Sequence, residues 1–176
     1  MNEKNKMKEL KLDKVVLNIA VGNDEAKLLK AINLLEAITD RKPIQTLAKK
    51  RIAAFKLRPG LPIGCKVTLR KKKAREILAR MLEGVDNKVE KRQFNNGGFS
   101  FGIKEYIQVP SIPYQREIGL IGFDVAVAFK RAGYRVAERK IKTGKIPQKH
   151  RVSKQEIIEY AQKNFNIDLG EEETEE

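Results

Sequence analysis

Apolar and polar residues alternate along 12–21. Val15, Leu17, Ile19 and Val21 fall on one side, and Lys14, Val16, Asn18 and Ala20 on the other. A period of two predicts a half-buried strand. Gly22-Asn23-Asp24 breaks the pattern and offers a helix cap. Leu28, Ala31, Ile32, Leu35 and Ile38 then recur at helical spacing, which predicts an amphipathic helix over 24–39. Pro43 opens a short extended segment that runs to 47. Residues 52–57 have the make-up of a strand, and Arg58-Pro59-Gly60-Leu61 places Pro and Gly at the two central positions of a type II turn. Beyond it, Ile63, Cys65, Val67 and Leu69 alternate with Gly64, Lys66, Thr68 and Arg70. The expectation is a hairpin, 52–57 against 63–70, with a basic tip and a basic outer face.

Ala74, Ile77, Leu78, Met81 and Leu82 form the stripe of a second helix over 71–83, with Gly84 suited to its C-terminal cap. Its first turn, Lys71-Lys72-Lys73, opposes the helix dipole. An external anion and plain solvation are both open readings of those lysines. Asn95-Asn96-Gly97-Gly98 reads as a loop before a strand over 99–103. Phe123, Val125, Val127 and Phe129 alternate with Asp124, Ala126, Ala128 and Lys130, a further half-buried strand. Ser153-Lys154-Gln155-Glu156 is a capping box for a last helix over 154–165, whose apolar side holds Ile157, Ile158, Ala161 and Phe165. Residues 1–9 read as a polar tail, 10–169 as one domain and 170–176 as an acidic disordered tail. Strands and helices mix without regular alternation, so the expected fold is α+β. An antiparallel sheet would carry helices on one face, with a helix at the C-terminus.

Charge narrows the function. The 176 residues include 37 Lys and Arg against 23 Asp and Glu, a formal net charge of +14. Residues 41–80 hold 14 bases and one acid, Glu76, and residues 130–151 hold nine bases and one acid, Glu138. Solvated faces usually mix both signs. Two dense blocks with almost no acid therefore point to a polyanion, of which nucleic acid is the commonest in cells. No apolar run approaches the roughly 20 residues of a membrane span, and no signal segment follows the N-terminus. The bases lie largely on strands and loops, not on a helix with a bulky apolar face, which sets a membrane surface aside. The expectation is a soluble, cytoplasmic protein.

Catalytic chemistry finds little support. His150 is the only histidine and lies in a basic loop. Cys65, the only cysteine, sits on the apolar side of its strand, where a core role suits it better than nucleophilic work. A zinc site needs more Cys or His than the chain has. No phosphate-cradling loop of the P-loop type is complete, and Gly97 to Gly102 lacks a strand–turn–helix context. The acids Glu171-Glu172 lie in the tail. The chain is expected to be no enzyme and to need no metal or cofactor.

If the strands share a sheet, the side away from the core presents Asn18, Lys66, Thr68 and Arg70. With Ile52 and Ala54 inward, Phe55 would stand among them. It could pack on a nucleotide while the bases take phosphates, or it could pack beneath a neighbouring loop.

Several runs resemble a known family: LNIAVG at 17–22, RKP at 41–43, AKKR at 48–51, FKLRPGLPIGCKVTLR at 55–70 and GFSFGIKE at 98–105. They are similar to the universal large-subunit ribosomal protein number five, and the resemblance covers about 10–165. The chain starts close to its first strand, without the longer N-terminal segment of the bacterial form, and its ending at 139–169 is similar to the archaeal and eukaryotic type. The resemblance implies an α+β fold and a non-enzymatic role in binding 5S ribosomal RNA in the central protuberance. It implies RNA-facing positions at Asn18, Phe55 and Thr68. Arg41 stands where the family often has glutamine, and as an arginine it would suit a phosphate. The family's loop near peptidyl-site tRNA matches 56–63, which includes Lys56, Arg58, Pro59, Gly60, Leu61 and Pro62. Implied neighbours are 23S-type RNA, large-subunit protein eighteen, and small-subunit protein thirteen across an intersubunit bridge. The alternative is a free-standing RNA chaperone or accessory protein using the same face, which would be substoichiometric to ribosomes.

Overall fold

The computed structural model describes residues 5–110 and 112–170. Strand β1 (Leu10–Ala20) leads to helix α1 (Glu25–Thr39), then β2 (Ile44–Leu47), β3 (Pro62–Leu69) and α2 (Lys71–Glu83). Three strands follow, β4 (Lys88–Glu90), β5 (Phe94–Asn95) and β6 (Gly98–Ile103), and then β7 (Phe123–Arg131). The chain ends in α3 (Arg135–Glu138), α4 (Lys154–Phe165) and β8 (Asp168–Gly170). Six strands form one sheet in the order β2-β3-β1-β7-β6-β5, with every neighbouring pair antiparallel. The fold is the expected α+β arrangement.

Alternation decides which face is covered. Val15, Leu17 and Ile19 of β1, Cys65, Val67 and Leu69 of β3, and Val125, Val127 and Phe129 of β7 are all buried. Leu28, Ala31, Leu35 and Ile38 of α1 meet them, together with Ala74, Ile77, Leu78, Met81 and Leu82 of α2. Burying each large aliphatic side chain stabilises the fold by roughly 1.5–3 kcal/mol. An aromatic cluster ties α4 to the β7–β6–β5 part of the same covered face: the ring centroids of Phe94 and Phe99 are 4.9 Å apart, and Phe129 meets Tyr160 edge-on at 5.3 Å. Both expected caps are present. The Asp24 carboxylate accepts from the Lys27 amide at 3.1 Å, and the Ser153 amide donates to Glu156 at 3.1 Å in a reciprocal box. Gly84 is the C-cap of α2 in a right-handed conformation, and the chain reverses after it at Asp86 and Asn87, with φ of 53° and 56°.

The expected first arm of the hairpin is absent. Residues 52–57 form a tight 3-10 turn, Ala53–Phe55, closed by a bridge between Ile52 and Leu57 and by Lys56 at φ 55°. The free edge of β3 is taken instead by β2, with Ile44 opposite Lys66. Residues 52–57 thus have no open strand to pair with, and the two alanines tolerate the tight turn. The hairpin is β2–β3, and residues 48–61 are its loop. Gly170 is a second departure: it pairs with Glu90 in the parallel β4–β8 ribbon, so it does not belong to a tail. Residues 1–4 and 171–176, the outer parts of the two expected tails, lie outside the described residues, and Lys6–Lys8 form a 3-10 turn.

Candidate nucleic-acid interface

The face turned away from the helices is built from short side chains. Reading across it, Ile44, Lys66, Asn18, Asp124 and Gly102 form one row of cross-strand partners. Thr68, Val16, Ala126 and Ser100 form the next. Thr46, Gly64 and Ala20 lie on the other side of the first row. Gly64 keeps this face flat, because a Cβ there would lie 2.4 Å from the carbonyl oxygen of Ile19. Lys66, Thr68, Asp124, Ala126, Ser100 and Gly102 are exposed, and Asn18 is half-buried. Flat, small-residue sheet surface with a few donors lets an RNA backbone or base approach closely. Asp124 is the acid of the central row. It repels phosphate but can accept from a 2′-hydroxyl or an exocyclic amine.

The expected site residues separate into four places. Asn18, Lys66 and Thr68 share the open face of β1 and β3. Arg41 is exposed just before β2, next to the edge of the sheet and not on it. Phe55 is 69% exposed, but it lies on the 3-10 turn of the 48–61 loop and not on a strand of the open face, as the expected 52–57 strand would have placed it. Arg70 lies at the far end of β3 and is engaged by the protein itself: its guanidinium is 3.0 Å from Asp13. The same carboxylate oxygen is 2.6 Å from the Lys130 ammonium. Asp13 sits where the β1–β7 register shifts between Leu12 and Lys14, and the bulge turns its carboxylate between the two bases.

Lys56, Arg58, Pro59, Gly60, Leu61 and Pro62 belong to the β2–β3 loop and its junction with β3. Arg58 to Leu61 is the expected turn: the Leu61 amide donates to the Arg58 carbonyl at 3.2 Å, and Gly60 takes φ 87°, as a type II turn requires. The turn is also tied back to its stem, because the Gly60 amide donates to the Ala48 carbonyl at 3.0 Å and the Ala48 amide to the Leu61 carbonyl at 2.8 Å. Lys49, Lys50, Arg51, Lys56 and Arg58 surround it, exposed and without an ion-pair partner among the described residues. Lys72 of the Lys71-Lys72-Lys73 run lies 3.7 Å from Glu76 on the surface of α2.

The remaining candidates for chemistry are structural. Burial pushes the Cys65 thiol up to about 11, so little thiolate forms near neutral pH. A His150 ring nitrogen, Nε2, lies 2.8 Å from the Ala132 carbonyl and helps to close the 131–151 loop. Among the described residues, no group of His, Cys, Asp and Glu is placed to hold a metal ion, and no helix is long and apolar enough to cross a membrane. The sequence pattern misses the contribution of β2 to the open face, Ile44 and Thr46, because four residues are too few to show which side faces out. It misses Ser100 and Gly102 because nothing in the pattern gives the 99–103 strand a neighbour.

Comparison with known proteins bears on this basic, open-faced sheet. Residues 5–58 match the family model described as ribosomal protein L5, and residues 62–160 match the model for the C-terminus of the same ribosomal family. The chain is 46% identical over 164 residues to the large ribosomal subunit protein uL5 of Nanoarchaeum equitans, covering 93% of this chain and 97% of that one. The chain belongs to the ribosomal L5 family. The uL5 of Sulfurisphaera tokodaii is 45% identical over 169 residues, 95% of this chain and 96% of its own. That of Archaeoglobus fulgidus is 44% identical over 156 residues, 89% and 88% of the two chains. These archaeal relatives agree with the archaeal and eukaryotic type to which the ending at 139–169 is similar. The L5 family consists of structural, non-enzymatic constituents of the large ribosomal subunit.

Proposed function

We propose that this protein is a structural component of the large ribosomal subunit that binds 5S ribosomal RNA through the open face of its sheet. On this reading 10–169 acts as one RNA-binding domain of a cytoplasmic ribonucleoprotein. The observation that carries the reading is the central row of the open face. Lys66 and Asn18 stand side by side on small-residue sheet surface, Thr68 lies one row away, and an exposed Phe55 extends from the adjoining loop. Lys66 neutralises phosphate, Asn18 and Thr68 hydrogen-bond to sugar or base, and Phe55 packs on a nucleotide. Arg41, at the sheet edge, takes a phosphate where a glutamine would make a neutral hydrogen bond. Arg70 acts through its pairing with Asp13, so it offers only its free donors to RNA.

Residues 56–63, the tip of the 48–61 loop and its junction with β3, serve a separate contact, with peptidyl-site tRNA. Their turn is braced against Ala48, so it loses little freedom on meeting a partner. In the central protuberance the neighbours are 23S-type RNA and large-subunit protein eighteen, with small-subunit protein thirteen across an intersubunit bridge.

The test is quantitative co-sedimentation with large subunits after a salt wash, beside direct binding of purified 5S RNA. One copy per subunit, together with salt-sensitive 5S binding, is the expected result. A substoichiometric protein that leaves subunits in the wash contradicts it and favours a free-standing RNA chaperone.

A further inference from the structure

The bulge in β1 aims an acid at the face assigned above to RNA. Leu12 pairs with Phe129 and Lys14 with Ala128, so Asp13 is the extra residue. The insertion reverses the alternation of the strand. Leu10 and Leu12 pack on the core before it, and Val15, Leu17 and Ile19 after it. Asp13 and Lys14 therefore come to the same side of the sheet, the open one.

An acid on a surface that meets phosphate weakens general attraction. Asp13 nevertheless stands between two bases, one from each strand that flanks β1. Its side chain is 13% exposed, and a single oxygen, Oδ1, serves both. Arg70, at the end of β3, donates to it at 3.0 Å. Lys130, on β7, lies at 2.6 Å. The other charges nearby are matched within the protein: Lys11, opposite Lys130, lies 3.1 Å from Glu9, and Glu138 lies 3.9 Å from Lys130. The Arg70 side chain stays 55% exposed. A guanidinium carries five N–H donors in a rigid fork, so one bond to Asp13 leaves the others for a ligand. A long basic side chain loses rotamer freedom when it meets a phosphate, and one already held by a largely buried carboxylate has less left to lose.

We propose that Asp13 is a positioning residue for RNA binding, which holds Arg70 and Lys130 as a preformed clamp for a backbone phosphate. Four residue steps of roughly 3.3 Å separate Lys14 from Asn18, so the clamp lies about 13 Å along the open face from the central row. Asp13 itself touches no RNA. Its charge trades general attraction for selectivity, because a fixed clamp favours an RNA whose shape brings a phosphate to that point. The proposal rests on the sheet-face reading, since the RNA has to lie along that face.

The test compares binding of 5S RNA and of an RNA duplex of unrelated sequence by the full chain, below the melting temperature of every variant. Asp13→Asn removes a negative charge, so charge alone would tighten both. The clamp predicts a split: 5S binding weaker by at least about fivefold, as for a lost hydrogen bond to a charged group, with duplex binding unchanged or tighter. In a chain carrying Arg70→Gln and Lys130→Gln, the further change Asp13→Asn should alter 5S affinity by less than about twofold, because nothing is left to position. Tightening of both RNAs would make Asp13 a mask over its bases. Weakening of both would make it a prop of the fold. A loss that persists without Arg70 and Lys130 would give it another task. Each of these overturns the proposal, as does 5S binding at the wild-type level by the Arg70→Gln/Lys130→Gln chain. Lys66→Ala separates the two readings: if it loses 5S affinity while the clamp variants do not, only the clamp falls, and if it too binds like wild type, the sheet-face reading falls.

Discussion

Asn18 and Lys66 are partners across β1 and β3, side by side on the sheet face turned away from the helices. Their neighbours in sequence, Leu17, Ile19, Cys65 and Val67, are buried. One alternating pattern therefore builds the core and presents the polar pair. A shift of register by one residue would bury Lys66 and expose Cys65, so the core itself fixes the geometry of the interface.

Phe55→Ala should weaken 5S RNA binding by about 1–3 kcal/mol, the usual loss when a stacking or packing ring is removed. The ring is 69% exposed, so folding should hardly notice. Thermal melts beside RNA titrations check this. A collapse in melting temperature with unchanged affinity of the folded fraction would mean that Phe55 supports the loop and does not contact RNA.

Lys56→Gln combined with Arg58→Gln should leave folding intact and change 5S binding little, because both side chains are exposed on the 48–61 loop. Ribosomes assembled with this variant should retain peptidyl-site tRNA less well. Retention equal to wild type would remove the tRNA contact from the loop, and loss of 5S binding would place the loop inside the 5S interface.

Glu156 links the capping box of α4 to the largely buried Arg131. Burial pushes its carboxyl up, but the Ser153 amide and the Arg131 charge outweigh this and hold it below the ordinary range. Its contribution is therefore complete above the unfolded-state value of about 4.3 and disappears as pH falls through the lower folded value. Glu156→Gln should cost about 1–3 kcal/mol at neutral pH, since it leaves the Arg131 charge without its partner. Melting curves should show a wide gap between wild type and variant at pH 7, which narrows as the pH falls below the unfolded-state value. A gap of constant size would assign the stability to packing.

The strongly periodic segments are legible in the sequence. α2 buries the five residues its spacing marks, and β7 alternates as its pattern predicts. Both caps are visible because a cap is a local device. The failures lie where the deciding interaction is distant. Residues 52–57 look like a strand in isolation, and only the occupation of the β3 edge by Ile44–Leu47 denies them a partner. Lys88–Glu90 and Asp168–Gly170 are three-residue segments joined across the chain, too short for a period to show. Arg70 looks free in the sequence because nothing local indicates that a bulge at Asp13, 57 residues earlier, turns a carboxylate toward it.

The most direct measurement of the central claim is 5S RNA affinity as a function of salt for wild type, Lys66→Ala, Asn18→Ala and Thr68→Val. Counterion release makes log affinity fall linearly with log salt for a basic protein on phosphates. Lys66→Ala should reduce that slope by about one, the loss of one phosphate contact. Asn18→Ala and Thr68→Val should each lower affinity by about 0.5–1.5 kcal/mol at every salt concentration, with the slope unchanged. Wild-type affinity independent of salt, or three variants that bind as well as wild type with the same slope, would contradict the assignment of the open sheet face to RNA.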